Sequence, residues 1–442
     1  MKNHFEVNPL IEEYTSTCVC NTTTDVSLYE KYDVKRGLRD INGVGVLTGL
    51  TAISDVKNEG RLLYRGVDVE KMVDGFHNEG RFGFEETVYL LMMGHEPNRQ
   101  QLEEFRRLTC EYRTLPKNFV RDVVLKAPTD DIMNALAREL LTLYSYDKHR
   151  EDLSLPNVMR QCLQLISVLP QLAVYSYHAY LHYRKGKSLV IHTPDPRRSV
   201  AEDILALLRT DMHYTELEAK VLDTALVLHA EHGGGNNSTF TTRVVTTTGT
   251  DTYSAIAASL CSLKGPKHGG ASLKVMEMFD CIRRNVSDWT DEDEVRAFLA
   301  KILHREAFDR TGLIYGVGHA VYYNVDPRAE VFRRCVEQLA AEKGKKKEYE
   351  LYRVVERTAI DLITTERRIF KGVVTNVDFY SGFAYSLLGL PKELYTPIFA
   401  ISRIAGWSAH RMEELINSGK IIRPAYRSIC TEMPYVPLDQ RD

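Results

Sequence analysis

The feature that most constrains this chain is the run Leu228-His229-Ala230-Glu231-His232-Gly233-Gly234-Gly235-Asn236-Asn237-Ser238-Thr239. A helix-like apolar segment leads into it. The three glycines then end any helix, because glycine loses the most backbone freedom on ordering and lets the chain approach a ligand closely. A second break of the same kind follows at Gly265-Pro266-Lys267-His268-Gly269-Gly270. Each histidine therefore stands at a helix terminus, where a side chain is free to meet a substrate.

Around these breaks the pattern is mostly helical. Thr215 with Glu218 forms a capping-box signature, and Leu217, Val221, Leu222, Ala225 and Leu228 share one helical face behind it. That helix carries His229 and His232 at its C-terminal end. Thr290 with Asp291, Glu292 and Asp293 places negative charge at another helix start. Thr396-Pro397 predicts a cap followed by proline at the first helical position, with Gly419 as the terminator, so Arg403 lies inside a helix. Two regions read otherwise. Residues 1 to 40 are polar and without sustained periodicity, as expected of an N-terminal arm, and the glycines from Gly43 to Gly60 suggest short turns or hairpins. Thr239 to Thr250 is rich in Thr and Val and predicts a strand by propensity alone.

The chain has 442 residues, enough for a large core and two domains. A net charge of -3 argues against nucleic acid and against a polybasic membrane surface, leaving small molecules and other protein chains as partners. The eight cysteines lack the dense spacing of a disulfide framework and predict free thiols in the cytoplasm. No apolar signal segment stands at Met1 to Glu13, and no apolar run reaches membrane-spanning length. The basic run Lys343 to Lys347, flanked by Glu342 and Glu348, reads as a solvated helix end rather than a phosphate site.

The chemistry-bearing residues exclude several classes. His229 and His232 stand three apart, missing the four-residue spacing of helical H-E-x-x-H zinc sites, and no nearby cysteine or carboxylate completes a ligand set. The glycines match neither G-x-G-x-x-G nor G-K-[ST] phosphate loops. Further along, Tyr315-Gly316-Val317-Gly318-His319 places another histidine after glycines, Asp326-Pro327-Arg328 follows, and Asp378 lies among apolar neighbours in Thr375-Asn376-Val377-Asp378-Phe379-Tyr380-Ser381-Gly382. A lone histidine or aspartate of this kind is usually structural, but several glycine-flanked histidines with one apolar-set carboxylate point to a site.

In order and spacing, L-H-A-E-H-G-G-G-N-N-S-T, G-P-K-H-G-G-A, G-V-G-H-A-V-Y-x-x-x-D-P-R-A, N-V-D-F-Y-S-G and I-I-R-P resemble the citrate synthase family. The resemblance is strongest from Leu217 to Pro424. It implies an all-α fold with a large helical domain, residues 41–271 and 389–442, and a smaller mobile helical domain, residues 272–388; the arm over residues 1–40 lies outside the resemblance. On the same resemblance Thr239 to Thr250 is helical. The implied activity is condensation of acetyl-CoA with oxaloacetate and hydrolysis of citryl-CoA, with acetyl-CoA as co-substrate, no permanently bound cofactor and no metal. By motif, Asp378 matches the base, His268 the donor to the thioester oxygen, and His319 the group that polarises the oxaloacetate carbonyl. His232, Arg328, Arg403 and Arg423 match the residues that hold oxaloacetate, and Arg423 implies a homodimer by reaching the partner's site. Ala320 and Tyr323 stand where relatives have basic residues for CoA phosphate, and Lys371, in a region where relatives are basic, is the remaining candidate. Such a base needs help, because a thioester methyl is a very weak acid and donors must stabilise the developing charge.

Three alternatives stand beside this reading. Propionyl-CoA differs from acetyl-CoA by one methylene, worth about 1–3 kcal/mol in an apolar pocket, so 2-methylcitrate synthase is the nearest rival. A non-catalytic carboxylate-binding relative is opposed by the intact His268, His319 and Asp378. A metalloprotein would have to be built on His229 and His232.

Overall fold

The computed structural model describes residues 6–23, 38–40, 49–319, 321–368, 372–417, 419–425 and 432–441. In chain order the helices are α1 Pro9–Thr22, α2 Val69–Asn78, α3 Phe84–Met93, α4 Arg99–Tyr112, α5 Ile132–Leu143, α6 Leu155–Lys185, α7 Val200–Leu208 and α8 Glu216–His229. They continue as α9 Asn237–Thr246, α10 Thr252–Leu263, α11 Ala271–Asn285, α12 Glu292–Leu303, α13 Pro327–Glu342, α14 Lys346–Arg367, α15 Val377–Leu387 and α16 Tyr395–Ile416. The strands are β1 Leu38–Asp40, β2 Ser54–Lys57, β3 Arg61–Tyr64, β4 Val67–Asp68 and β5 Arg423–Ala425. β2, β3 and β4 form a small antiparallel sheet, and β1 pairs in parallel with β5.

The local signals are realised with small shifts. Thr215 and Glu218 form a reciprocal capping box at the start of α8. Asp291 caps α12, its carboxylate accepting from the amides of Asp293 and Glu294. α16 begins one residue before Thr396 and ends at Ile416, short of Gly419. Residues 239–246 are helical within α9, so the strand propensity of this stretch is overridden. The reason is tertiary: Ser238, Thr239, Thr242, Arg243 and Thr246 are buried, and α9 packs on α10 and α16. Threonine tolerates this because its hydroxyl bonds the preceding turn, as Thr242 does to Ser238 O at 3.0 Å. The N-terminal stretch contains α1, whose Ile11, Tyr14 and Cys18 are buried against α3, α6 and α16.

Two groups of helices frame the molecule. α6, buried along most of its length, packs with α16, α5, α4, α7 and α1 at the centre of the larger group. α11 to α15 pack mainly on one another, around the stacked rings of Phe279, Tyr352 and Phe383 at 3.6 and 4.3 Å. Among the described residues no helix is long and apolar enough to cross a membrane. The seven described cysteines are free, and Cys430 lies outside the described residues.

Candidate active site

A cleft of about 750 Å³ runs between α8, α9 and α16 on one side and the α11–α15 group on the other. His232, His268, His319, Arg328, Asp378 and Arg403 all line it. Six of the predicted residues, widely separated in sequence, are thus brought together. Arg423 is exposed on β5 and does not line the cleft, and Lys371 lies outside the described residues.

The turn bearing His232 is fastened from below. Tyr64, on β3 and fully buried, donates from its hydroxyl toward Val227 O, Leu228 O and Glu231 O and accepts from Glu231 N. These bonds satisfy carbonyls that the end of α8 leaves free. Gly406 of α16 sits against Ala230 O, where any side chain would collide with the Glu231 carboxylate. His232 Nε2 lies 3.2 Å from Tyr322 Oη, with its ring edge-on to that of His319. Burial, with Arg328 and Arg403 nearby, pushes its pKa well below the ordinary value.

His268 follows the end of α10, in a loop where Gly269 N donates to Leu263 O at 2.9 Å and Gly270 packs against Pro266. Its Nε2 is 3.0 Å from Ser238 Oγ. Trp407 Nε1, which can only donate, meets the same oxygen at 3.2 Å. The single Ser238 proton therefore goes to His268 Nε2 or to Asn236 Oδ1, 3.0 Å away. Burial, helped by Arg403, lowers the His268 pKa to about 4, so the ring is neutral at physiological pH.

His319 and Asp378 belong to one stapled unit. Gly318 N donates to Val374 O at 2.7 Å, Asn376 N to Gly316 O at 2.9 Å, and Asn376 Nδ2 to Gly318 O at 3.1 Å. Gly316 (φ 82°) and Gly318 (φ 106°) adopt the left-handed backbone that these bonds require. His319 Nδ1 accepts from Val321 N at 3.0 Å and Tyr322 N at 2.9 Å, which puts the ring proton on Nε2. Burial holds its pKa at about 4 despite Asp326.

Asp378 sits in the first turn of α15, behind the Asn376 cap. Burial pushes its carboxyl up to about 6, against the pull of Arg328. Asp326, buried at the start of α13, grips Arg328 through Nε and Nη2 at 3.0 and 2.8 Å and accepts from Val377 N at 3.1 Å. One carboxylate therefore sets both an arginine and the helix that carries Asp378. Arg403 is fully buried, donates from Nε to His229 O at 2.6 Å and lies over the Phe399 ring; its Nη1 has no protein partner. A buried guanidinium without a carboxylate partner is costly unless an anion joins it.

Ser238, Asp326, Tyr322 and Trp407 escape the sequence reading. Ser238, Asp326 and Tyr322 stand inside the motifs, yet only packing reveals what they touch. Among the described residues no group of three or more His, Cys, Asp or Glu side chains is placed to hold a metal ion. His229 is enclosed by Phe332, Tyr385 and Phe399, whereas His232 faces Tyr322 and His319.

The family model described as citrate synthase, C-terminal domain, matches residues 42–425. The chain belongs to the citrate synthase family. A citrate synthase from Synechocystis is 33% identical over 90% of this chain and 92% of its own length. A 2-methylcitrate synthase from Corynebacterium glutamicum is 32% identical over 89% of this chain and 94% of its own. Among solved structures, citrate synthase from Pyrobaculum aerophilum superposes with a TM-score of 0.76 at 28% identity, covering 95% of this chain and all of that one. The citrate synthase of Thermoplasma acidophilum, solved with carboxymethyl coenzyme A and oxaloacetate, superposes at 0.75 with 26% identity, covering 90% of this chain and 98% of its own. The all-α fold of a large and a small helical domain is that of the family.

Proposed function

We propose that the chain condenses acetyl-CoA with oxaloacetate and hydrolyses the citryl-CoA formed. The observation that carries this reading is the convergence of Asp378, His268 and His319 on one cleft with Arg328 and Arg403. Asp378, ionised at neutral pH, takes a proton from the acetyl methyl. With the Ser238 hydroxyl donating a hydrogen bond to His268 Nε2, the single proton of the neutral ring sits on Nδ1, and Nδ1–H donates to the thioester oxygen as charge develops. The enol carbon adds to the ketone carbon of oxaloacetate, whose oxygen receives the Nε2 proton of His319. Water then releases citrate and CoA. Arg328, Arg403 and His232 hold the oxaloacetate carboxylates, with Arg423 of the partner in a homodimer.

Residues 272–388 form the small domain, which closes on residues 41–271 and 389–442; closure keeps water from the thioester until oxaloacetate is bound. A second cavity of about 450 Å³ shares Gly318, His319 and Val321 with the cleft and is also lined by Asn58, Tyr323 and Arg367. It suits the acyl-CoA, and Arg367 supplies a cation there, with Lys371 as a further phosphate contact on resemblance alone. No metal or permanent cofactor takes part in this scheme. Free thiols throughout the described chain support a cytoplasmic enzyme. The 2-methylcitrate reading is supported by the relative of that name, at 32% identity beside 33% for the citrate synthase.

The test is thiol release from acetyl-CoA with and without oxaloacetate, beside Asp378→Ala and a parallel run with propionyl-CoA. Oxaloacetate-dependent release that vanishes in the variant establishes the reaction, and the ratio of the two specificity constants names the thioester. No release with either thioester, from folded protein in the presence of chelator or without it, overturns the reading.

A further inference from the structure

Beneath the His232 turn lies a buried group of charges that the proposed reaction does not use. Glu231 Oε1 accepts from Ser54 Oγ and from His410 Nε2, both at 3.0 Å. Ser54 Oγ in turn accepts from Gly233 N at 3.2 Å. The residues on either side of His232 are therefore tied to one network. On its other side His410 Nδ1 stands 3.4 Å from Glu413 Oε2, and Glu413 Oε1 accepts from Ala52 N at 2.7 Å. Arg243 of α9 closes the set, 3.7 Å from Glu413 and 3.1 Å from Glu414. Glu231 and His410 are both 0% exposed.

The space around this network is full. A side chain at Gly234 would stand 2.8 Å from an Arg243 nitrogen and 3.3 Å from His410 Cε1, and one at Gly406 would strike Glu231. The turn can therefore shift only if the network shifts with it. Protonated His410 and Arg243 are the cations in contact with Glu231, Glu413 and Glu414. Burial opposes the charges of Glu231 and His410, yet their pairing holds Glu231 down at about 2 and raises His410 above its ordinary value. Neutralising the imidazole would leave two glutamates without their shared partner in a dry interior.

We propose that His410 is a positioning residue for oxaloacetate: clamped between Glu231 and Glu413, it fixes the turn that aims His232 into the cleft. It touches no substrate and acts through Glu231. The proposal rests on the reading of His232 as an oxaloacetate contact. It separates from a merely structural role because the cavity assigned to the acyl-CoA has none of Ser54, Glu231, His410 and Glu413 in its lining.

The experiment compares wild type, His410→Gln, Glu231→Gln and Ser54→Ala. Oxaloacetate binding is followed by calorimetry without acyl-CoA, and KM for each substrate and kcat are followed by thiol release. His410→Gln and Glu231→Gln are expected to weaken oxaloacetate binding and raise its KM roughly tenfold or more, leaving KM for acetyl-CoA within about twofold. Ser54→Ala, at the partly exposed edge of the network, keeps the test valid should the buried variants misfold, and gives a smaller shift, about threefold, in the same constant. A fall in kcat and thermal midpoint with oxaloacetate affinity unchanged in the folded variants overturns the proposal. Wild type that binds no oxaloacetate overturns the functional reading and this inference with it.

Discussion

The acid limb of the pH–rate profile tests the site most directly. Burial raises the Asp378 carboxyl from an ordinary 3.8 to about 6, whereas His268 and His319 are held at about 4. Between pH 5 and 7 both histidines therefore stay neutral and only the base titrates. A group with a pKa near 6 is about 90% ionised at pH 7 and about 10% at pH 5, so kcat/KM for acetyl-CoA falls about tenfold across that interval. An unperturbed carboxyl would change it by less than about a tenth. The same shift has a consequence for stability. The native state holds the Asp378 proton more tightly than the unfolded chain, so between pH 3.8 and 6 stability falls as pH rises, and above that interval the ionised group carries the full cost. That cost is at most about 3 kcal/mol, since the side chain retains some exposure. Asp378→Asn should therefore abolish thiol release while raising the thermal midpoint at pH 7.5 and leaving it unchanged at pH 3.5. Activity that is flat from pH 7 to 5, together with an Asn variant no more stable than wild type, would falsify the assignment of Asp378 as a buried base.

Three further outcomes follow from particular contacts. Ser238→Ala removes the hydroxyl between Trp407 and His268, and kcat should drop roughly ten- to a hundredfold with little change in KM for oxaloacetate. Arg367→Ala should raise KM for acetyl-CoA roughly fivefold at low salt and less at high salt, as expected for an exposed cation meeting phosphate; an unchanged KM would remove Arg367 from the acyl-CoA site. If Arg423 works in the partner's site, inactive Asp378→Ala and Arg423→Ala proteins, mixed, unfolded and refolded together, should regain about a quarter of wild-type activity, since about half the dimers then hold one intact site. No regain would place Arg423 in its own chain's site or in none.

Much of the site was legible because its signals are local. A run of three glycines opposes helix, so a break near His232 followed from sequence, and the Thr215 and Glu218 cap marks the start of α8, which stops at His229 and leaves His232 in the turn beyond. The ordered motifs named the residues that would gather. What each would do there was not legible. His319 and Asp378 look like separate loop residues in sequence, and only the bonds of Gly318 to Val374 and of Asn376 to Gly316 make them one unit.

By itself the sequence determined that the chain is mostly helical, where its helices break, and which charged side chains the breaks present, because caps, glycines and apolar periodicity act over a few residues. Tertiary structure alone decided that residues 239–246 coil rather than extend, that His319 carries its proton on Nε2, that Asp378 is a weaker acid than an exposed aspartate, and that Glu231 answers to His410, 179 residues away. Each of these depends on burial and on partners distant in sequence. A tautomer or a pKa is set by which dipoles and charges stand around a group, and that surrounding exists only once the chain has folded.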